Sequence, residues 1–243
     1  MLTRYKKGYR PRRNNRPLWL ILLAAVLLLA FSGWKIYESN QEYSAGDEVY
    51  EDILATVAED GAIDFQALSA INPGVKAWLA QEDIELNYPV VQGSDNSYYL
   101  THLFDGTVNK MGTLFLDYRN QGDFSDKNTI IYGHNMKNGA MFAMLPNYAD
   151  QDFYEAHPTL KLTTPAKTYT VELFSGYIVD THEFEAKTEF KDDVEYISYI
   201  NKVIGKSLFK TNVTVKPSER LITLYTCTYE YDEARFILTG VLR

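Results

Sequence analysis

The chain has 243 residues, a formal net charge of −8 and a single cysteine. One cysteine excludes an intramolecular disulfide and a cysteine-rich zinc site. The acidic balance argues against a general nucleic-acid binder, which needs lysine and arginine in excess. Apolar residues at 46% and charged residues at 23% are globular values, at a length that allows one domain with an appendage or two small ones.

The average charge conceals a division. Residues 1–37 hold eight basic side chains and no acid, whereas the rest holds sixteen basic residues against all 32 acids, a balance of −16. Between the two lies an apolar run from Leu18 to Phe31, extended without an acid to Tyr37. At about 1.5 Å per residue, 20 helical residues match a hydrocarbon layer of about 30 Å. Trp19 and Trp34 stand near its ends, where interfacial aromatics are favoured, and seven basic residues precede it. The reading is a basic cytoplasmic tail (1–17), a transmembrane anchor (18–37) and an extracellular remainder. A cleaved signal peptide ending near Ala30-Phe31-Ser32 is the alternative.

Past the anchor, 38–74 reads as a helical stalk. Residues 47–59 show helical spacing of apolar positions, and Asp64 caps a second short helix to Ile71. Pro73-Gly74 ends it. From Val75 the pattern changes to short runs of β-branched and aromatic residues. Strands are expected at 75–80, 88–91, 112–117, 129–132, 159–163, 168–179, 213–215, 221–227 and 235–242. Helices are expected at 138–145 and 192–208. The second has one apolar face of Val194, Ile197, Tyr199, Ile200, Val203, Ile204 and Leu208, with acids at its start and lysines toward its end. No repeat or long linker divides 75–243. The fold class is mainly β: one barrel-like domain with decorating helices.

Three positions carry candidate chemistry. Cys227 ends a strand, a polar turn follows, and Arg235 opens the next strand. In a hairpin the two residues are near-opposite, and a cation there favours thiolate and later donates to an oxyanion. His134 follows the strand Asn128–Tyr132 and Gly133, where a loop holds a group on a rigid frame. His102, His157 and His182 are its competitors, and no pair has the HxxxH spacing of a helical metal site. Thiol, imidazole and guanidinium together point to nucleophilic acyl transfer. The histidine precedes the cysteine by 93 residues, the reverse of the papain-like order.

These residues resemble a known family. Thr223-Leu224-Tyr225-Thr226-Cys227 resembles the T-L-x-T-C signature of sortases, with Arg235 as the downstream arginine, and Ile131-Tyr132-Gly133-His134-Asn135 resembles their histidine motif. Tyr88 to Gly93, Asp95-Asn96, Tyr99-Leu100, Leu116 to Asn120 and the helix 192–208 resemble class B in particular. The resemblance implies an eight-stranded sortase barrel (75–243) with N-terminal helices and a helix inserted before the last strands. It implies Cys227 as nucleophile, His134 as general acid/base and Arg235 as oxyanion or substrate clamp, with no metal or organic cofactor. It implies Asn96, Leu100, Tyr132, Tyr225 and Thr226 as groove residues, and the loop and helix 181–214 as the wall of the specificity pocket. The implied substrates are secreted proteins with a sorting signal of the NPxTG, NPQTN or S/P-PxTG kind, and the implied acceptor is an amine of a peptidoglycan precursor or a pilin. Tyr225 replaces a serine common in class B, and the Cys-to-Arg interval is short, so motif preference stays open. A pilus-polymerising enzyme, an L,D-transpeptidase-like wall enzyme and a non-catalytic wall-binding ectodomain are the alternatives.

Overall fold

The computed structural model describes residues 16–57, 61–180, 187–227 and 234–243. Residues 1–15, 58–60 at the end of the expected helix 47–59, 181–186 with His182, and the segment 228–233 expected as a turn lie outside the described residues. A single helix α1, Arg16–Leu54, contains the whole apolar run. By length and composition it is able to cross a membrane. No start occurs near residue 47: between the apolar run and Leu54 there is no proline, and Gly46 alone costs a helix only about 1 kcal/mol. The chain forms two units, to Glu42 and from Tyr43 onward.

In the second unit the last turns of α1 pack on the segment around residues 109–113. Gly46 permits the approach, since a Cβ there would meet Met111 Cε at 2.9 Å. Tyr50 is buried and its hydroxyl donates to the Gly112 carbonyl at 2.7 Å. Helix α2, Phe65–Ile71, begins as expected: Asp64 accepts hydrogen bonds from the Gln66 and Ala67 amides, which otherwise have no partner in the first turn.

Eight strands follow: β1 (Val75–Gln81), β2 (Leu86–Gln92), β3 (Leu114–Leu116), β4 (Asn128–Gly133), β5 (Thr159–Thr163), β6 (Thr168–Asp180), β7 (Arg220–Cys227) and β8 (Ala234–Leu242). They close into a barrel in the order β1-β2-β3-β4-β7-β8-β6-β5. Two neighbours are parallel, β2 with β3 and β4 with β7; the rest are antiparallel. Side chains alternate across each strand. Ile131, Ile222, Leu224, Phe236 and Leu238 join the large central core, while Leu221, Ile237 and Val241 join a second core beneath helix α4, Asp193–Lys206.

Four expectations are corrected. Residues 138–144 are not helical. Met141 has φ +59° and pairs in an isolated bridge with Asn135, and a left-handed residue cannot continue a helix. Helical structure comes later, as a 3-10 turn Leu145–Ala149 and a short α3, Gln151–Ala156, capped by Asp150. Residues 213–215 form no strand, because a barrel closed by β4, β7 and β8 leaves no edge there to pair. The strand at 112–117 shrinks to three residues because Gly112 turns at φ +62°. Finally, α4 buries Tyr196, Ile200 and Val203, at i, i+4 and i+7. Val194 is 79% exposed and Leu208 50% exposed. Tyr196 sets this rotation, since its hydroxyl reaches the Glu219 carbonyl at 2.7 Å.

Candidate active site

β4 and β7 run parallel, with Ile131 opposite Leu224, Tyr132 opposite Tyr225 and Gly133 opposite Thr226. His134 follows directly after β4, and Cys227 is the last residue of β7. The parallel register therefore delivers two positions 93 residues apart in sequence to the same end of the barrel. On the other side of β7, the antiparallel pairing with β8 sets Cys227 opposite Arg235. The three candidate positions therefore meet at one end of β4, β7 and β8. Arg235 is half-buried and its Nη1 donates to the Ala234 carbonyl at 2.8 Å.

His134 is held from two directions. Gly133 precedes it where no side chain fits: a Cβ would collide with the Leu114 Cδ2 methyl and lie 2.6 Å from Phe142 Cδ2. The backbone carbonyl of His134 accepts from the Phe142 amide at 2.8 Å. The ring is half-buried, and its Nε2 donates to the Leu100 carbonyl at 2.7 Å. A carbonyl only accepts, so this contact assigns the proton to Nε2 and leaves the lone pair of the neutral ring on Nδ1. That nitrogen is the one able to take a proton.

Leu100 closes a 3-10 turn, Tyr98–Leu100. Asp95 initiates the turn by accepting from the Ser97 and Tyr98 amides and the Ser97 hydroxyl, and these bonds lower its pKa. Next to it, Asn96 accepts from the Tyr118 amide at 3.0 Å and donates to Asp117 Oδ2 at 3.1 Å.

Tyr132 points to the same carboxylate, donating to Asp117 Oδ2 at 2.8 Å. Its ring stacks on Phe115 at 5.3 Å and meets Tyr225 edge-on at 5.2 Å. Burial raises the Tyr132 pKa, and the charge on Asp117 adds to the effect, so the phenol stays protonated. Tyr225 is half-buried at the edge of the second core, while Thr226, on the opposite face of β7, is 1% exposed.

Asp117 was legible only as part of a motif, without a role. Its side chain is fully buried. Burial would raise its pKa, but hydrogen bonds from the Arg119 side chain and amide and from Tyr132 outweigh that and hold it below the ordinary value of 3.8. Arg119 Nε and Nη2 reach its two oxygens at 2.9 and 2.7 Å, and this bond raises the pKa of the guanidinium further. A lone acid directly after the apolar run Leu114–Leu116 was the available signal.

Of the competing histidines, the two described ones, His102 and His157, make local contacts. His102 stacks on Tyr98 at 3.9 Å, and His157 Nδ1 donates to the Phe153 carbonyl at the end of α3. Among the described residues no group of three or more His, Cys, Asp or Glu is arranged to hold a metal ion.

The arrangement can be set beside known proteins. Residues 79–243 match the sortase domain family model. The chain is 39% identical over 239 residues to sortase B of Listeria monocytogenes, covering 94% of this chain and 96% of that one. It is 30% identical over 228 residues to sortase B of Staphylococcus aureus, covering 91% and 93%. Among solved structures, sortase B of Bacillus anthracis in complex with AAEK1 superposes with a TM-score of 0.76 at 33% identity, over 83% of this chain and 98% of that one. A Staphylococcus aureus sortase B–substrate complex gives 0.75 at 28% identity, over 85% and 98%. A sortase B complexed with triglycine also gives 0.75 at 28% identity, over 84% and 98%.

Proposed function

The chain belongs to class B of the sortase family and is a cysteine transpeptidase; on that premise we propose that Cys227 is its nucleophile, His134 its general acid/base and Arg235 its oxyanion or substrate clamp. The observation that carries this reading is the double register, Gly133 with Thr226 and Cys227 with Arg235. His134 takes the Cys227 thiol proton at Nδ1, and the thiolate attacks the threonine carbonyl of a sorting signal, forming the C–S bond as the C=O π pair moves onto oxygen. Arg235 donates to the resulting oxyanion. Collapse expels the amine of the downstream peptide, which takes its proton from His134. An acceptor amine then attacks the thioacyl carbon, loses its proton to neutral His134 and releases the thiolate. No step needs a metal or an organic cofactor.

Asn96, Leu100, Tyr132, Tyr225 and Thr226 line the groove for the sorting signal, and 187–214, the described part of 181–214, forms a wall. The substrates are secreted proteins with an NPxTG, NPQTN or S/P-PxTG signal, and the acceptor is a peptidoglycan amine. The triglycine complex of a sortase B relative supports an amine-bearing acceptor. Residues 1–17 form a basic cytoplasmic tail, 18–37 the membrane anchor, 38–74 the helical stalk and N-terminal helices, and 75–243 the catalytic domain outside the cell. The apolar stretch of α1 and the basic residues before it support this topology.

A soluble fragment 38–243 cleaves fluorogenic sorting-signal peptides, and Cys227→Ala, His134→Ala and Arg235→Ala each reduce turnover by on the order of 10²-fold or more. Full activity in Cys227→Ala overturns the assignment.

A further inference from the structure

Two separate supports hold His134, and one buried carboxylate joins them. The first support is the turn Tyr98–Leu100, whose last carbonyl accepts from His134 Nε2. The second is β4, on which His134 follows Tyr132 by two residues. Asp117 Oδ2 accepts from Asn96 in the segment leading into that turn, and from the Tyr132 hydroxyl on β4. Arg119 supplies the compensating charge through Nε on Oδ1 and Nη2 on Oδ2, and its amide also donates to Oδ1. The two oxygens thus take five donors, which only a carboxylate accepts.

We infer that Asp117 is a positioning residue for the acid/base: by tying Asn96 and Tyr132 to one point, it fixes the distance between the Leu100 carbonyl and the His134 ring and so enforces the Nε2–H tautomer. The inference rests on the proposed role of His134. It differs from a plain fold-stabilising role, which would make Asp117 matter for melting and not for the imidazole. A group that fixes the tautomer of the acid/base without touching the substrate acts on proton transfer more than on binding.

The test uses the full chain in detergent, with 15N-labelled histidine, and the His134 signals are assigned by their loss in His134→Gln. In Asp117→Asn, the new amide turns an N–H against these donors, and the clamp loses its charge. The imidazole 15N signals of His134 change from one tautomer to a mixture. Turnover of a sorting-signal peptide falls at least tenfold in kcat, with KM within threefold. If Asp117→Asn does not fold, the double variant Asn96→Ala/Tyr132→Phe cuts both arms at smaller cost and gives the same nitrogen shift change. A folded variant with wild-type His134 nitrogen signals overturns the inference, whatever its melting temperature, and so does an unchanged kcat. If the wild type cleaves no sorting-signal peptide, the proposed function fails, while the nitrogen signals still decide the role of Asp117.

Discussion

Gly133→Ala is the smallest change that tests how β4 delivers His134. The added methyl would collide with Leu114 Cδ2 and stand 2.6 Å from Phe142 Cδ2. Both neighbours are fully buried, and β4 is held by β3 on one side and β7 on the other. The strand therefore has no free direction in which to move, and the side chains have little room to turn. Overpacking of this kind costs about 1–3 kcal/mol. For a folded unit of this size, about 2–4 °C accompanies each kcal/mol, so the melting temperature falls by roughly 2–12 °C. The larger effect is expected in catalysis. His134 is the next residue, and its 2.7 Å bond to Leu100 does not survive a displacement near 1 Å. A displacement of about 1 Å costs on the order of 10² in rate. Thermal melting and kcat/KM on a sorting-signal peptide measure both quantities in one preparation. Unchanged melting together with unchanged kcat/KM would refute the packing argument and the delivery of His134 that depends on it.

The corrected face of α4 is tested by a pair of substitutions. Ile200→Ala removes a buried side chain and lowers stability by about 2–5 kcal/mol in a denaturant titration, while Val194→Ala on the exposed side stays within about 0.5 kcal/mol. Equal effects would restore the stripe expected from periodicity. Asp117 makes stability depend on acid. Its pKa in the folded chain lies below the ordinary 3.8, so the unfolded chain binds the proton first. The contribution is present above about pH 4 and is lost as pH falls through the lowered value. Asp117→Asn therefore flattens the acid limb of a stability–pH curve relative to wild type; a limb of the same slope contradicts the carboxylate's role.

Much of the fold was legible because its signals are local. Asp64 announces the start of α2, and the short β-branched and apolar runs at 159–163 and 221–227 mark β5 and β7. What failed depends on distant partners. Val213 and Val215 have strand propensity, but the closed barrel offers no edge to pair with them. The rotation of α4 is set by Tyr196 reaching the carbonyl of Glu219, far along the chain. The site divides in the same way. Cys227 and Arg235 pair across the antiparallel β7–β8 ladder and were readable as a pair from spacing alone. His134 is a candidate from its place just past a strand end, but it joins them only through a parallel register, which leaves no trace in local sequence. The Asp117 cluster draws donors from positions 96, 119 and 132, so neither spacing nor periodicity reveals it.

The central claim is that acyl transfer runs through a thioester on Cys227. Intact-mass spectrometry of the full chain, quenched in acid during turnover of a sorting-signal peptide, tests it most directly. The expected result is a mass increase equal to the acyl portion ending in threonine, located on the peptide that contains Cys227 and released by hydroxylamine. An adduct on any other residue, or continued turnover by Cys227→Ala, would contradict it.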